Sequence, residues 1–552
     1  MEQQYRVSRY NSFVPLEGEA GTLAYNALRS SLVVITPNLQ NRLEQLASTQ
    51  GAVAPDDELA QLIPFGLVIP ADFDELSEVR VRARKLRSGV SNLVLTIAPT
   101  LSCNFRCGYC FQDHPPVHMR EEVINSLIKF VADQANELER LGITWFGGEP
   151  LLATPTIHRL SKAFRDLSEQ HGFELAPASI ITNGWGLTER NCRLLQDCGI
   201  GFMQVTLDGV GRVHDQRRPL ANGSPTFERI VQGIKTALMR LPDAKIAVRV
   251  NLEQTNADAV DDIYEYFRAC GIADRVDVNA ALTQPFTACS KVEAPLTDQR
   301  VDEIISRHRA RRVNDRSRQA DLPSLKFLSY CQAQVRNAFV VSPTGALFKC
   351  WRDLSLDEAC AVGHLMAREL APDNGQRVVR EGFETWDFTE DEECANCSVA
   401  PICGGGCMVE GMRRTGDYSR PRKVCSPYRD RRHLAEALML AYESRNSRRE
   451  SIPTPVGRSD LRMKSPHHGP GATEAGRGIP GVRVVSQGTA RVAAPIARSD
   501  RPQGNQTPTA PSDRPQGNQA PTAPGDPTQD NQEPEAILIC TCGILRSCPK
   551  MA

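Results

Sequence analysis

The segment "LSCNFRCGYCFQ" (Leu101–Gln112) sets Cys103, Cys107 and Cys110 on one short stretch, directly after the apolar run "LVLTIAPT". Three thiols this close share a loop, and they converge on a metal group or stay idle. A structural zinc takes four ligands, usually from two C-x-x-C pairs. A four-iron cluster also has four corners to ligate. The trio leaves one corner for a distant residue or for a bound molecule. The chain has 18 cysteines among 552 residues. The N-terminus "MEQQYRVSRYNSF" lacks an apolar signal core, and no apolar run is long enough to span a bilayer. A cytoplasmic protein is expected, and clustered thiols in a reducing compartment read as metal ligands before disulfides. A net charge of −1 gives no global footprint for nucleic acid.

Between Ser91 and Ala280 strand-like and helix-like segments alternate. The expected strands are Leu93–Thr100, Ile143–Phe146, Ser179–Asn183, Phe202–Gly209, Ile246–Asn251 and Arg275–Ala280. The expected helices are Glu121–Leu141, Thr156–His171, Thr188–Asp197, Thr226–Met239 and Ala257–Cys270. Short β-rich apolar runs alternating with longer amphipathic segments predict βα units on a parallel sheet. Six strands are too few for a closed eight-stranded barrel, so the fold class is α/β, a partial (β/α)6 TIM-like barrel or an open sheet. Chemistry in such folds sits at the C-terminal ends of the strands. Residues 1–90 read as a separate small α+β unit, with strands Ser31–Thr36 and Phe65–Pro70 around a helix Asn38–Leu46. Residues 446–534 are rich in Pro, Gly, Gln and Ser and carry the near-repeats "SDRPQGNQTPTAP" and "SDRPQGNQAPTAP". A period of 13 residues without apolar positions builds no core, so a disordered linker is expected. A cysteine-bearing tail follows over 535–552.

C-x-x-x-C-x-x-C after a first strand, with Tyr109 before the last cysteine, resembles the cluster loop of radical S-adenosylmethionine (SAM) enzymes. In that family three cysteines hold three irons of a 4Fe–4S cluster, and the amino and carboxylate groups of SAM chelate the fourth. The missing ligand is then the cosubstrate. The resemblance implies reductive cleavage of SAM to a 5′-deoxyadenosyl radical, which takes hydrogen from a substrate carbon; the protein supplies position and shielding. "WFGGEPLL" follows the second strand, and Gly147, Gly148, Glu149 and Pro150 resemble the family's GGEP motif, which binds the methionine amino group. Asn183 at the end of the third strand, Thr206 at the end of the fourth and Arg218 in "VHDQRRP" fall in the family's order, near SAM or substrate by that resemblance. Each alone reads equally well as a turn, cap or ion pair; the ordered series carries the signal.

Downstream come Cys331, Cys350 and "CANCSVAPICGGGC", with Cys394, Cys397, Cys403 and Cys407, then Cys425. The spacing by itself also allows a zinc ribbon. It closely resembles the SPASM extension of peptide-modifying radical SAM enzymes, which holds two auxiliary 4Fe–4S clusters, making three in all. By that resemblance residues 91–310 form the radical SAM barrel and residues 311–445 the extension. Cys331, Cys350 and Cys407 would bind the first auxiliary cluster, and Cys394, Cys397, Cys403 and Cys425 the second. The first then lacks a fourth ligand, left to Cys289 or to a substrate thiolate. Cys192, Cys198, Cys270 and Cys360 have no partner pattern and read as small packing residues.

The resemblance implies a peptide maturase acting on a ribosomal precursor peptide or protein, forming a thioether or carbon–carbon cross-link, with flavodoxin or ferredoxin as electron donor. The N-terminal unit then reads as a winged-helix-like domain that binds a leader peptide as an added strand. The tail "ICTCGILRSC" raises the reading of a tethered substrate modified in cis. A sulfatase-type formylglycine maturase fits the same clusters. A zinc-stabilised binding module is the non-enzymatic alternative.

Overall fold

The computed structural model describes residues 3–16, 21–48, 56–283, 331–367, 374–417, 423–449 and 482–486, with a few isolated positions between. Cys289, the two near-repeats and the tail cysteines Cys540, Cys542 and Cys548 lie outside the described residues. None of the described helices is long and apolar enough to cross a membrane.

The N-terminal unit contains strands β1 (Tyr5–Val7), β2 (Asn11–Pro15), β3 (Thr22–Asn26) and β4 (Ser31–Ile35), helix α1 (Pro37–Ser48), the short α2 (Asp57–Ala60) and strand β5 (Val68–Pro70). Strands β2, β3 and β4 form an antiparallel meander, and β1 pairs with β5. Alternation along β3 buries both faces. Ala24 packs with Val33, Leu39 and Leu43, whereas Leu23 and Tyr25 pack with Phe388, Val399, Ile402, Leu434 and Leu438. This unit is therefore not separate: one face of its sheet shares a core with the cysteine-rich C-terminal region. Helix α3 (Glu75–Ser88), capped by Asp74 accepting from the Ser77 amide, reinforces the join. Its Arg80 donates to Thr389 Oγ1 and its Arg84 to Asp387.

The central sheet has ten strands. Six parallel strands follow one another in sequence order: β6 (Asn92–Ile97), β7 (Arg140–Trp145), β9 (Ala178–Thr182), β10 (Ile200–Thr206), β11 (Lys245–Leu252) and β12 (Val276–Leu282). The two-residue strand β8 (Glu174–Leu175) pairs beside β7. These are the six expected strands, shifted by a few residues at their ends. Strands buried on both faces read as near-continuous apolar runs, which made them visible. The connecting helices are α4 (Glu121–Ala132), α5 (Thr154–His171), α6 (Glu189–Asp197), α7 (Arg212–Arg217), α8 (Phe227–Arg240) and α9 (Ala259–Ala269). Their apolar stripes, such as Ile230, Val231, Ile234 and Leu238 of α8, cover the sheet.

Three expectations change. The helix expected over Glu121–Leu141 stops at Ala132, because the amides of Glu139 and Arg140 bond to Ser91 O and start β7. The sheet continues past the first strand: β13 (Ala338–Val341) pairs in parallel with β6, followed by the antiparallel β14 (Ala346–Phe348) and β15 (Gly363–His364). Residues assigned by sequence to a separate extension thus extend the central sheet, since the edge of β6 needs a partner for its backbone groups. The expected linker is also not free of structure at its described residues. The helix Arg431–Arg449 runs past its start, and β16 (Val482–Ser486) pairs with β4.

Candidate active site

The C-terminal ends of β6, β7, β9, β10 and β11 meet around the loop that bears Cys103, Cys107 and Cys110. All three thiols are free and partly buried. Burial pushes the Cys103 thiol up to about 11 and the Cys107 thiol up to about 12, and raises Cys110 as well. The three influence one another electrostatically, and the Arg218 guanidinium opposes the rise at each of them.

Tyr109 anchors this loop. Its hydroxyl donates to Asp208 Oδ2 at 2.5 Å and accepts from Arg218 Nη1 and from Asn251 Nδ2 at 3.1 Å. Asp208, fully buried after β10, also accepts the Asn251 amide at 2.9 Å. Arg217 lies over the Tyr109 ring at 5.4 Å and pairs with Glu253. The imidazole of His214 accepts the Asp208 amide on Nδ1 at 3.1 Å, so its proton sits on Nε2, facing Thr226 Oγ1. Thr226 donates onward to the Arg218 carbonyl. One continuous network therefore fixes the loop, Asp208 and Arg218.

The GGEP segment packs against the base of the cysteine loop. A Cβ on Gly147 would meet Thr100 O at 2.3 Å, and one on Gly148 would meet both Leu101 O and Ser102 O at 2.3 Å. Gly147 also holds φ +116°, a conformation only glycine adopts freely. The two glycines let the end of β7 lie against the base of the cysteine loop, where the Gly148 and Glu149 amides donate to Thr100 O and Ser102 O. Pro150 opens the turn that follows. Glu149 is buried and accepts from the Leu151 amide, Thr182 Oγ1 and the Asn183 amide at 2.7–3.0 Å. Its carboxylate clamps β7 to β9, and burial raises its pKa against those three bonds. The Asn183 side chain reaches Asn104 Oδ1 at 2.8 Å and lies 4.0 Å from Cys103 Sγ. Thr206 is buried at the end of β10, opposite Arg249 of β11.

The downstream cysteines form two groups. Cys394, Cys397, Cys403 and Cys425 line one cavity, together with Phe388, Lys423 and Arg429. Arg429 Nη1 donates to Cys425 Sγ at 3.0 Å. Cys350 is raised by burial, then by Asp353, and also by the charges of Cys331 and Cys407 beside it. Gly404, Gly405 and Gly406 hold φ of +60°, +78° and +77°. This left-handed run reverses the chain between Cys403, which faces the cavity, and Cys407, which joins the other group. The bridge between Gly406 and Val424 sets Cys425 next to it. The remaining described cysteines follow the packing reading: Cys192 and Cys198 are buried in the core around the central sheet, Cys360 packs beside Ala361 and Leu354, and Cys270 caps α9.

The residues fit the implied groups. Each cysteine set offers soft thiol donors, and the Arg218 Nε is buried with no hydrogen-bond partner among the described residues, beside the first set. An unsatisfied buried guanidinium nitrogen suits an anionic ligand. Among the described residues no three His, Cys, Asp or Glu side chains converge tightly enough for a single ion, and a four-iron cube spreads its thiolates wider than one ion does. Sequence reasoning passed over Asn104, Thr182, Arg217 and Glu253 as site residues. Each acts through a partner distant in sequence, which spacing does not reveal.

Residues 97–280 match the Radical SAM superfamily. The serine-type anaerobic sulfatase-maturating enzyme of Klebsiella aerogenes is 24% identical over 350 residues, 58% of this chain and 81% of that protein. The sporulation killing factor maturation protein SkfB of Bacillus subtilis is 27% identical over 176 residues, 31% of this chain and only 38% of that protein. Three other sulfatase-maturating relatives are matched over 39%, 41% and 48% of their length, whereas the cysteine-type enzyme of Clostridium novyi is matched over 88% of its length at 22% identity. A solved structure, native anSMEcpe with bound AdoMet and Cp18Cys peptide, aligns with a TM-score of 0.47 at 19% identity, covering 65% of this chain and 99% of that one.

Proposed function

We propose that this enzyme, which carries a radical SAM domain over residues 97–280, is a peptide maturase with one SAM-binding and two auxiliary 4Fe–4S clusters. The observation that carries the reading is the separation of ten cysteines into three groups. One is Cys103, Cys107 and Cys110 on the loop after β6; the second is Cys331, Cys350 and Cys407; the third is Cys394, Cys397, Cys403 and Cys425 around one cavity. When bound, SAM and its cluster supply a one-electron route to removing hydrogen from an unactivated carbon.

The chain's own residues prepare that site. Arg218 places a fixed positive charge beside the first trio and offers its free Nε to a carboxylate. Tyr109 and Asp208 hold Arg218 and the loop in one geometry. Gly147, Gly148, Glu149 and Pro150 set the floor of the loop, and Asn183 and Thr206 flank it at adjacent strand ends. The substrate is a ribosomal precursor peptide or protein, with the cysteine tail of 535–552 as an intramolecular form of it, and the product is a cross-linked peptide. The names of the relatives, sulfatase maturases and SkfB, support a peptide substrate. They equally favour the second reading, oxidation of a sulfatase cysteine or serine to formylglycine. A flavodoxin or ferredoxin is the expected electron donor.

The test is anaerobic purification with iron and sulfide counted per chain, beside C103A/C107A/C110A. About twelve irons, falling to about eight in the variant, is the expected result. With SAM and dithionite, 5′-deoxyadenosine forms only with the wild type. Stoichiometric zinc without iron overturns the reading and leaves a binding module.

A further inference from the structure

The N-terminal meander has two edges, β2 and β4. The β2 edge carries Pro15, which donates no backbone hydrogen bond and blunts strand addition. The β4 edge, "SLVVI", has neither proline nor charge, and Leu32, Val33 and Ile35 are fully buried. An apolar edge without such guards is a template for another strand. In this structure it is taken. Val482–Ser486 pairs antiparallel with β4 in the register Val482 to Ile35, Arg483 to Val34, Val484 to Val33 and Ser486 to Leu32. The strand is a short β-branched run, "VRVVS", within a Pro-, Gly- and Ser-rich stretch. From Arg449 to Val482 there are 32 intervening residues.

We propose that Val482–Ser486 of the same chain is an occluding strand that regulates access to the β4 edge, the edge where the N-terminal unit is expected to add a peptide. A peptide in trans reaches it only by displacing that strand. Main-chain hydrogen bonds give such a dock its affinity, and alternate side chains give it selectivity. A tethered occupant sits at an effective concentration of about millimolar, so competitors bind an apparently weakened site. The inference rests on the maturase reading only in naming a peptide substrate as the competitor.

Hydrogen exchange on the full-length chain tests it, without SAM or reductant. The variant V484P/V485P removes two successive strand amides at the register shift between Val484 and Ser486, and two prolines there cannot sustain the pairing with β4. Exchange over 31–35 should quicken at least about tenfold in the variant, while 22–26 stays protected by its two neighbours. A synthetic peptide of residues 480–488, added at about millimolar concentration, should restore protection in the variant and leave the wild type unchanged. Equal exchange in the two proteins overturns the pairing. Quickened exchange that the peptide does not slow overturns the docking site. Either failure leaves the iron count and SAM cleavage, and hence the maturase reading, untouched.

Discussion

The Tyr109 hydroxyl donates to Asp208 Oδ2 at 2.5 Å, joining the cysteine loop to the end of a strand 99 residues further along the chain. The same oxygen accepts from Arg218 and Asn251. Tyr109→Phe therefore strands three buried polar groups at once. Leaving such groups unpaired costs about 1–3 kcal/mol each. The variant should fold with a lower melting temperature and lose the iron of the first cysteine group before that of the others. Iron retention after gel filtration, compared with wild type, checks this. Unchanged iron and melting would show that the ring alone holds the loop.

His214 gives a pH dependence with a definite sign. Burial, followed by the charges of Arg218 and Arg217, holds its pKa well below the ordinary value. The unfolded chain therefore binds a proton as pH falls through about 6.5, while the folded chain stays neutral. Stability from this group is full above that pH and declines below it, by at most about 1.4 kcal/mol per pH unit. Urea titrations of wild type and His214→Asn at several pH values should differ in slope by close to one proton below about pH 6.5.

Gly406→Ala should open the four-cysteine cavity. A Cβ there would lie 1.6 Å from Val424 O, at a φ of +77°. The chain must shift, and Cys425 with it. The expected outcome is loss of about four irons per chain with the remainder retained. Full iron content in this variant would separate Cys425 from the ligand set.

Arg429→Gln bears on redox rather than assembly. The guanidinium donates to Cys425 Sγ at 3.0 Å and to Glu393 at 3.1 Å. A charged hydrogen bond is worth about 1.5–3 kcal/mol, and a tenfold change in a one-electron equilibrium is about 59 mV. Removing it should lower the potential of the group held there by roughly 60–130 mV. A titration followed by electron paramagnetic resonance reads the shift, and Arg429→Lys should recover part of it.

The sequence by itself determined the six parallel strands in sequence order, the spacing of the cysteines and the order of the motifs, because these are local. Buried parallel strands announce themselves as apolar runs, and thiols on one loop keep a fixed spacing. What Glu149 and the two glycines do was decided by tertiary structure. Gly147 and Gly148 meet the backbone of Thr100–Ser102, and Glu149 meets Thr182 and Asn183, contacts that spacing does not encode. The N-terminal unit looked separate because its alternating strands gave no hint that both faces were buried; Phe388 and Leu434, hundreds of residues away, cover one of them. The same holds for Val482–Ser486. Its composition marks the surrounding stretch as unable to build a core, yet five residues of strand need only one unguarded edge, and only the folded chain supplies it at β4.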